Sequence, residues 1–454
     1  MTSKTTLARF GQILAVAATL LAAAPASARP VLLISIDGLR PGDVAEAEQR
    51  GLKIPNLRRF LAEGSYAQGV IGVLPTVTYP SHTTLLTGAS PARHGIVSNN
   101  TFDPAQINAG GWYWFASDIK LPTLWSASAK AGLKVGNVHW PVSVGAPGVR
   151  WNLPQIWRTG HGDDAKLVAA LTSPGLLAEL EPKVGAAYAA GIDETIEADE
   201  LRGRFAIALI KSHKPDLTTV YLTALDHEQH LSGPGSAPAH AALERIDAII
   251  GQLMAAARAA HPKGVIAVVS DHGFEASAHE TNLFRAFIDA GLIRLDTAGK
   301  VAGWDAMPWP SGGSAAIVLT RRDDRELAER VRALLAKLQA DPATRITAII
   351  GRAEIAAMGG NPEAEFYVNL APDTYAAPFA GAAAPLAGPS KRKGMHGHFP
   401  QALNLRSSFM IMGPGIARAR ALGEIDMRSI APTLAKELRI KLGGAEQPAL
   451  NIAD

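Results

Sequence analysis

Pro30-Val31-Leu32-Leu33-Ile34-Ser35-Ile36-Asp37-Gly38 is the stretch that decides the fold, because a nearly continuous apolar run ends here in a carboxylate and a glycine. Such runs are typical of strands that are buried on both faces in a parallel sheet. Ligand sites of open α/β sheets lie at the carboxyl ends of these strands. The run therefore predicts a central strand with Asp37 at the ligand-binding edge, although a lone Asp can equally cap the turn that follows.

Two later segments repeat this pattern. Leu217 to Leu225 predicts a strand that ends in Asp226, and His230 follows four residues later in a loop. Gly264 to Ser270 predicts another strand, which ends in Asp271-His272-Gly273. The carboxyl ends of parallel strands meet at one edge of a sheet, so we expect these side chains to lie together. A cluster of oxygen and nitrogen donors of this size is what a dinuclear metal site requires.

The segment Pro75-Thr76-Val77-Thr78-Tyr79-Pro80-Ser81-His82 supplies a candidate nucleophile. We expect Thr78 to lie in a turn and a helix to open at Ser81, since proline is well tolerated where a helix starts. The Thr78 hydroxyl would then lie beside the free N–H groups of a helix N-terminus, which favour an anion such as phosphate. A threonine needs a base or a metal to act as a nucleophile. The alternative role for Thr78 is that of a helix cap.

Three other segments offer candidates for the same site. Asn99, in a turn-rich segment, has a side-chain amide that could donate to a phosphoryl oxygen. His396 lies among glycines, where the backbone can turn its ring toward a metal, and His398 is a rival for that role. The aromatic cluster Trp112-Tyr113-Trp114 is either part of the core or a wall of the substrate site.

Composition indicates a globular protein and excludes several function classes. The chain has 454 residues, of which 47% are hydrophobic and 19% charged, and its net charge is only +3. It has no basic tract or RNA-type motif, so nucleic acid is not expected as a partner. It also has no cysteine, so every metal ligand must be His, Asp, Glu or a hydroxyl group.

The N-terminus predicts export. Lys4 and Arg9 precede the apolar stretch Ile13 to Ala24, and Ala26-Ser27-Ala28 is a small-residue cleavage site. The apolar stretch is too short for a membrane span, and no later segment approaches one. We therefore expect a signal peptide at residues 1–28 and a periplasmic or secreted mature protein.

The remaining chain predicts an α/β fold with a mostly parallel central sheet and helices on both faces. We expect a catalytic core from residues 29–274 and 391–454, interrupted by an insertion or cap at 275–390. Within the insertion, the run Tyr375 to Gly388 is rich in Ala, Pro and Gly and predicts an exposed excursion. The oligomeric state and the role of the insertion stay open.

Six motifs appear in order along the chain: Asp37-Gly38, Thr76-x-Thr78-Tyr79-Pro80, His94-Gly95-Ile96-x-x-Asn99, Asp226-x-x-x-His230-x-x-Gly233-Pro234, Asp271-His272-Gly273 and His396-Gly397. With them the chain resembles the nucleotide pyrophosphatase/phosphodiesterase family of the alkaline phosphatase superfamily. The resemblance runs from Val31 to about Gly443 and covers residues 275–390 poorly. It departs at Ser81, where the family commonly has Asn, and at Gln229, where it usually has Gly.

The resemblance implies an alkaline phosphatase-like fold and a site with two zinc ions. It implies one zinc held by Asp226, His230 and His396, and the other by a second ligand set: Asp37, Thr78, Asp271 and His272. It also implies that Asn99 binds a phosphoryl oxygen. In addition, it implies that Tyr79 and Tyr221 sandwich a nucleobase or a similar group. Mn²⁺ is an alternative metal for such oxygen-rich ligands, although three histidines favour zinc.

These residues predict hydrolysis of a phosphodiester or pyrophosphate through a phospho-threonine on Thr78. A monoester carries more charge, which is usually matched by an Arg fork, and near the nucleophile only Arg93 is available. Phosphomonoester hydrolysis is therefore the second candidate, and the leaving group could be a nucleotide, a glycerophosphodiester or a phospholipid headgroup, as in a phospholipase C-type reaction. A sulfatase is rejected because the chain lacks cysteine and has His82 where that group has Arg. A non-catalytic module that binds metal and phosphate is the alternative from another class.

Overall fold

The computed structural model describes residues 28–108, 111–156 and 161–454. The predicted signal peptide lies outside the described residues, apart from Ala28. No helix in the described part of the chain is both long and apolar enough to cross a membrane.

The strands in chain order are β1 Val31–Ile36, β2 Ser65–Tyr66, β3 Gly69–Ile71, β4 Val135–Val138, β5 Trp151–Leu153, β6 Leu217–Leu222, β7 Val265–Val269, β8 Glu275–Ala276, β9 His279–Thr281, β10 Ile293–Leu295, β11 Val301–Trp304, β12 Ala306–Ser311, β13 Ser314–Leu319, β14 Ile346–Gly351, β15 Ala364–Leu370, β16 Thr374–Ala376, β17 Ala387–Pro389, β18 Gly394–Met395, β19 Phe409–Met412, β20 Arg420–Ala421 and β21 Glu424–Asp426. The α-helices are α1 Pro41–Ala45, α2 Pro55–Glu63, α3 Thr78–Thr87, α4 Pro91–His94, α5 Leu124–Lys130, α6 Asp164–Leu171, α7 Leu176–Val184, α8 Ile196–His213, α9 Ala224–Ser232, α10 Ala237–Ala260, α11 Leu283–Asp289, α12 Arg325–Ala340, α13 Arg352–Ala357 and α14 Ile430–Leu438.

A mostly parallel sheet forms the centre of the molecule, as the sequence predicts. Its described strands run in the order β20-β2-β19-β7-β1-β6-β4-β5. Strand β1 is fully buried and pairs in parallel with β6 on one side and β7 on the other. Strand β19 is antiparallel to its neighbours β7 and β2. The carboxyl ends of β1, β6 and β7 therefore meet at one edge, where the candidate ligands lie.

Helices cover both faces of this sheet because alternate residues of β1 point to opposite sides. Leu32 and Ile34 join a hydrophobic cluster on the face covered by α2, α8 and α10. Val31 and Leu33 join a second cluster with helices α3, α5 and α14. Burial of apolar side chains on both faces is what makes the strand nearly continuously apolar.

Residues within 283–376 have a hydrophobic cluster of their own. Strands β12, β13, β15 and β14 form an antiparallel sheet in that order, and apolar residues of α11 and α12 join the same cluster. The prediction of an exposed excursion over Tyr375 to Gly388 is wrong at its start. Tyr375 and Ala376 are buried in β16, which pairs in parallel with β9.

Candidate active site

Three aspartates lie at one edge of the central sheet. Asp37 follows β1 and Asp271 follows the neighbouring strand β7 after Ser270, and their exposed fractions are 3% and 0%. The prediction that a strand runs to Leu225 and ends in Asp226 is wrong. Strand β6 ends at Leu222, and Asp226 lies in the first turn of helix α9 with an exposed fraction of 6%. His230 lies on the same helix rather than in a loop.

The predicted histidines complete this cluster. His272 Nε2 lies 3.3 Å from Asp37 Oδ1 and 3.2 Å from Asp271 Oδ2. His230 Nε2 lies 3.3 Å from Asp226 Oδ2, which places both side chains on one face of α9. His396 Nε2 lies 3.6 Å from Asp226 Oδ1, and its ring stacks on that of His272 with 3.6 Å between centroids. Six of the seven predicted ligands thus converge in this cluster.

In each of the three histidines, the other ring nitrogen is hydrogen-bonded to a backbone carbonyl oxygen. His230 Nδ1 lies 2.9 Å from the carbonyl oxygen of Gly394. His272 Nδ1 lies 3.1 Å from the carbonyl oxygen of Gly273, and His396 Nδ1 lies 3.2 Å from that of Thr76. A carbonyl oxygen only accepts, so each Nδ1 carries the proton and each Nε2 keeps a free lone pair. Metal-binding histidines are typically oriented in this way.

Four buried atoms of the cluster have no hydrogen-bond partner among the described residues: Asp37 Oδ1, Asp226 Oδ1, Asp271 Oδ2 and His272 Nε2. Ligand atoms of Asp37, Asp271 and His272 lie within 4.8 Å of one another, and so do those of Asp226, His272 and His396. Unpaired buried polar atoms are costly unless something satisfies them. The donor set and these orphaned atoms fit two adjacent cations, with His272 between the two groups.

The pKa values of the carboxyls reflect their crowding. Burial raises the pKa of Asp37 well above its usual value, and the nearby carboxylates of Asp226 and Asp271 raise it further. Burial acts to raise the pKa of Asp226, but the charges of His230, His396 and His272 and the hydrogen bond from His230 together lower it below its usual value. Negative charges crowded into a buried site repel one another, and bound cations would offset that repulsion.

The candidate nucleophile lies at the start of a helix, but not where the sequence placed it. Helix α3 begins at Thr78 rather than at Ser81, so Thr78, Tyr79 and Pro80 form its first turn. Val77 is the N-cap residue and makes no side-chain cap bond, which excludes the capping role for Thr78. The Thr78 side chain instead borders the cavity that contains the ligand cluster.

Asn99 lies beside the first turn of this helix. Its Oδ1 accepts a 2.8 Å hydrogen bond from the backbone N–H of Tyr79, and the residue lines the same cavity as Thr78. Because the oxygen is engaged by the helix, the amide NH₂ group is left to donate elsewhere. The structure therefore brings together the predicted nucleophile and the predicted phosphoryl-binding residue.

The two tyrosines that were predicted to hold a base are deeply buried beside the ligand cluster. Tyr79 is 1% exposed, its hydroxyl donates to Gln155 Oε1 at 2.7 Å, and burial raises its pKa well above the usual value. Tyr221 is 0% exposed, and its hydroxyl donates to the Asp37 carboxylate. Burial and the Asp37 carboxylate raise the pKa of Tyr221, so it stays a neutral donor. Both residues nevertheless line the cavity in front of the ligand cluster, so the sandwich of a nucleobase stays a prediction.

The rival metal ligand points elsewhere. His398 Nε2 lies 3.1 Å from the carbonyl oxygens of Ala371 and of Thr374, and the residue is 1% exposed. Its ring therefore ties the segment after His396 to residues 371–374. Of the two histidines, the structure brings only His396 into the cluster.

The cavity in front of the cluster has a volume of about 800 Å³. Sequence reasoning missed several of its walls: Glu194, His227, Leu231, Lys391 and Arg392. Trp112 also lines it, with its ring 5.3 Å from that of Tyr79, which favours the substrate-wall alternative for the aromatic cluster. The basic run that starts at Lys391, five residues before His396, was a signal that could have indicated two of these walls.

Comparison with known proteins identifies the family. Residues 31–378 match the family model described as type I phosphodiesterase / nucleotide pyrophosphatase. The match covers more than half of the chain, which therefore belongs to this family.

Individual relatives are more distant. Ectonucleotide pyrophosphatase/phosphodiesterase family member 1 of Homo sapiens is 27% identical over 263 residues, covering 54% of this chain and 24% of that protein. A venom phosphodiesterase of Naja atra is 27% identical over 250 residues, covering 54% of this chain and 26% of that protein. The matched part of this chain thus spans about a quarter of the length of these curated relatives.

Solved structures share the fold over nearly the whole chain. Human ectonucleotide pyrophosphatase/phosphodiesterase 5 superposes with a TM-score of 0.65 at 18% identity, covering 93% of this chain and 97% of that one. The murine protein of the same name, as an inactive variant in complex with AMP, gives 0.64 at 18% identity, covering 94% and 97%. The alkaline phosphatase-like fold predicted from the motifs is thereby confirmed.

Proposed function

We propose that this protein is an exported, metal-dependent hydrolase of phosphodiester or pyrophosphate bonds. One observation carries the proposal: the Thr78 hydroxyl at the N-terminus of α3 borders the same cavity as Asn99 and the cluster of buried carboxylates and histidines. Membership of the type I phosphodiesterase / nucleotide pyrophosphatase family supports the reaction class. The printed names of the relatives, and the AMP bound to one neighbour, support a nucleotide as substrate.

The residues that would hold the metals are those of the cluster. Asp226, His230 and His396 would hold one ion, and a second set would hold the other: Asp37, Thr78, Asp271 and His272. We propose Zn²⁺, with Mn²⁺ as the alternative, because three imidazoles favour zinc while the carboxylates accept either. When bound, such ions make a hydroxyl group more acidic and offset negative charge on phosphoryl oxygens.

The chain's own residues would act in two steps. The Thr78 oxygen attacks phosphorus in line with the leaving oxygen, so that the P–O bond to the leaving group breaks as the bond to Thr78 forms, and the threonine proton ends on the leaving oxygen. Water then attacks the phospho-threonine from the vacated side, which releases the phosphate product and restores the threonine hydroxyl. Hydrolysis consumes one water and yields two products, and the protein is unchanged.

Two groups beside Thr78 would stabilise charge on the phosphoryl oxygens. The Asn99 amide NH₂ can donate to one of them, because its oxygen is held by the Tyr79 N–H. The free N–H groups in the first turn of α3 and the positive end of its dipole favour the same charge. Donors fixed before the reaction stabilise the transition state without having to reorganise.

The cavity also bears on the choice between a diester and a monoester. Arg93 is half exposed, donates to the Gly444 carbonyl and pairs with Glu446, so it is engaged away from the nucleophile. Lys391 and Arg392 line the cavity, and they favour phosphomonoester hydrolysis as the second candidate. We place the diester first because Lys391 pairs with Glu280 at 3.6 Å. The carboxylate of Glu280 offsets part of the positive charge that Lys391 would present to a substrate in the cavity.

The deciding experiment compares bis-p-nitrophenyl phosphate with p-nitrophenyl phosphate, using metal-loaded wild type and Thr78→Ala. We expect a preference for the diester, and loss of turnover in Thr78→Ala while bound metal persists. Thr87→Ala is the matched control, because the Thr87 hydroxyl lies on the same helix and donates to the Thr83 carbonyl. Undiminished turnover in Thr78→Ala would exclude Thr78 as the nucleophile, and a preference for the monoester would favour the second candidate. Bound metal with no hydrolysis of either ester would indicate a binding module.

The domain boundaries and the export of the protein are further proposals. We propose that residues 275–390 act as a cap over the site, since Pro310, Ser311 and Tyr375 line the cavity from that side. Export through a signal peptide at residues 1–28 rests on the sequence. Amino-terminal sequencing of the mature protein recovered from the periplasm or medium would test the cleavage site.

A further inference from the structure

Helix α9, which carries Asp226 and His230, is capped by a carboxylate from another helix. Asp199, on α8, accepts a 2.9 Å hydrogen bond from the Thr223 N–H through Oδ1 and another of 2.9 Å from the Ala224 N–H through Oδ2. Asp199 is 0% exposed. Thr223 is the N-cap residue of α9 but makes no side-chain cap bond of its own. Asp199 thus supplies the cap that the local sequence of α9 lacks.

Arg202 completes this arrangement with a buried guanidinium group. It pairs with Asp199 one turn away on α8, and it donates to Thr223 Oγ1 at 2.7 Å. It also donates to the carbonyl oxygens of Gly191 and Asp193, at 2.6 Å and 2.7 Å. Those residues precede Glu194, which lines the cavity. One ion pair therefore holds both the start of α9 and a segment at the cavity wall.

The energetics favour a positional role over a contribution to net stability. A buried ion pair contributes little net stability, because desolvation offsets the attraction between its charges. The free N–H groups at a helix start need acceptors, and a carboxylate there also interacts favourably with the helix dipole. Since Asp226 is only two residues beyond Ala224, the direction in which α9 starts determines where its carboxylate lies.

We propose that Asp199 and Arg202 are positioning residues that fix helix α9, and with it Asp226 and His230, against the other half of the ligand cluster. This inference rests on the proposed metal-dependent function, which it deepens by assigning residues outside the cavity to one half of the site. At α9, the hydrogen bonds of both residues go to the backbone of Thr223 and Ala224 and to the Thr223 hydroxyl, so they would act on Asp226 and His230 through the start of α9.

The chain offers a matched control in Asp247. This buried aspartate on α10 also accepts two backbone N–H groups at a helix start, those of Asn56 at 3.1 Å and Leu57 at 2.7 Å. The helix it caps, α2, carries none of the candidate site residues. Asp199→Asn and Asp247→Asn therefore each remove one buried negative charge that accepts two backbone N–H groups at a helix start. They differ in that Asp199 pairs with Arg202, whereas Asp247 accepts from the Asn56 side chain.

The experiment titrates the metal-free full-length chain with zinc, for wild type and both variants, by calorimetry. We expect Asp199→Asn to bind one zinc equivalent about 10- to 100-fold more weakly, as is typical when residues that orient metal ligands are lost, and the other equivalent nearly unchanged. We expect Asp247→Asn to keep wild-type affinity for both, even if its stability falls. Wild-type affinity for both equivalents in Asp199→Asn, or an equal loss in Asp247→Asn, would overturn the proposal.

A second readout separates this proposal from the proposed function. Amide hydrogen exchange over residues 223–232 should be faster in Asp199→Asn than in Asp247→Asn, and equal rates would contradict the positioning role. If wild type takes up no metal, the proposed function fails and the exchange rates alone decide the inference. If Asp199→Asn does not fold, Thr223→Val replaces it, because it removes only the hydroxyl that accepts from Arg202. A several-fold weaker zinc equivalent in that variant would support the proposal, and an unchanged one would overturn it.

Discussion

The backbone N–H of Tyr79 donates a hydrogen bond of 2.8 Å to Oδ1 of Asn99. This bond joins the first turn of the helix that begins with Thr78 to a segment 20 residues further along the chain. It also decides which end of the Asn99 amide is free, because an N–H group can only be paired with the oxygen. The NH₂ group is thereby available at the cavity where a phosphoryl group would lie.

Asn99→Asp tests the role of this donor. The variant keeps the acceptor for Tyr79 but replaces the amide NH₂ with an oxygen that carries negative charge. We expect kcat for bis-p-nitrophenyl phosphate to fall by about 10²- to 10³-fold, as for the loss of a comparable oxyanion donor. Asn99→Ala should show a similar loss without the added repulsion. Near-normal kcat in Asn99→Asp would exclude Asn99 as a donor to substrate.

Substitutions of His396 and of His398 are predicted to differ in their effect on the amount of zinc that the protein binds. His396→Asn should lose one of two bound zinc ions, because its Nε2 faces Asp226 while its Nδ1 is held by the Thr76 carbonyl. His398→Asn should keep both ions and lose only stability, because its ring donates to the backbone of residues 371–374. Metal analysis of the two purified proteins distinguishes the roles. Loss of zinc from His398→Asn alone would reverse the assignment.

Metal removal should destabilise the protein. The unpaired oxygens of Asp37, Asp226 and Asp271 are buried close together, and chelation would leave them uncompensated. At a zinc concentration 1,000-fold above Kd, each site should add roughly 4 kcal/mol to the free energy of unfolding. Thermal unfolding with chelator, and after adding back Zn²⁺ or Mn²⁺, measures the effect. A Tm that is insensitive to both treatments would count against the metal site.

His94 is predicted to make stability depend on pH. The residue is fully buried, its Nδ1 accepts from the Ile96 N–H at 3.2 Å, and burial lowers its pKa to about 3. Below pH ~6.5 the unfolded chain takes up a proton at this histidine that the folded protein does not, so stability falls as the pH drops from there toward 3. Between pH 7 and pH 5 the loss should be roughly 2 kcal/mol.

Urea unfolding of wild type and His94→Gln at pH 7.5 and pH 5.0 isolates this contribution. Gln can accept the Ile96 N–H but does not titrate, so wild type should lose more stability between the two pH values than the variant does. Equal losses in the two proteins would mean that other groups account for the acid sensitivity.

Sequence alone predicted the architecture and the convergence of most of the candidate metal ligands. The apolar runs that precede Asp37 and Asp271 predict buried parallel strands, because a strand covered on both faces must be apolar along its whole length. Parallel strands end at the same edge, so the convergence of the carboxylates followed from the same pattern. The motifs around Thr78, Asn99 and His396 extended this to the family, which the match over residues 31–378 confirmed.

Only the tertiary structure decided how these residues are held. Nothing in the local sequence shows that Asp226 lies on a helix, because the cap of that helix comes from Asp199, 25 residues earlier than Ala224. The choice of His396 over His398 depends on which backbone carbonyls surround each ring. The burial of Tyr79 and Tyr221 likewise depends on contacts with residues distant in sequence, such as Gln155 and Asp37. Local periodicity cannot encode contacts of this kind, because they form only when separate elements pack together.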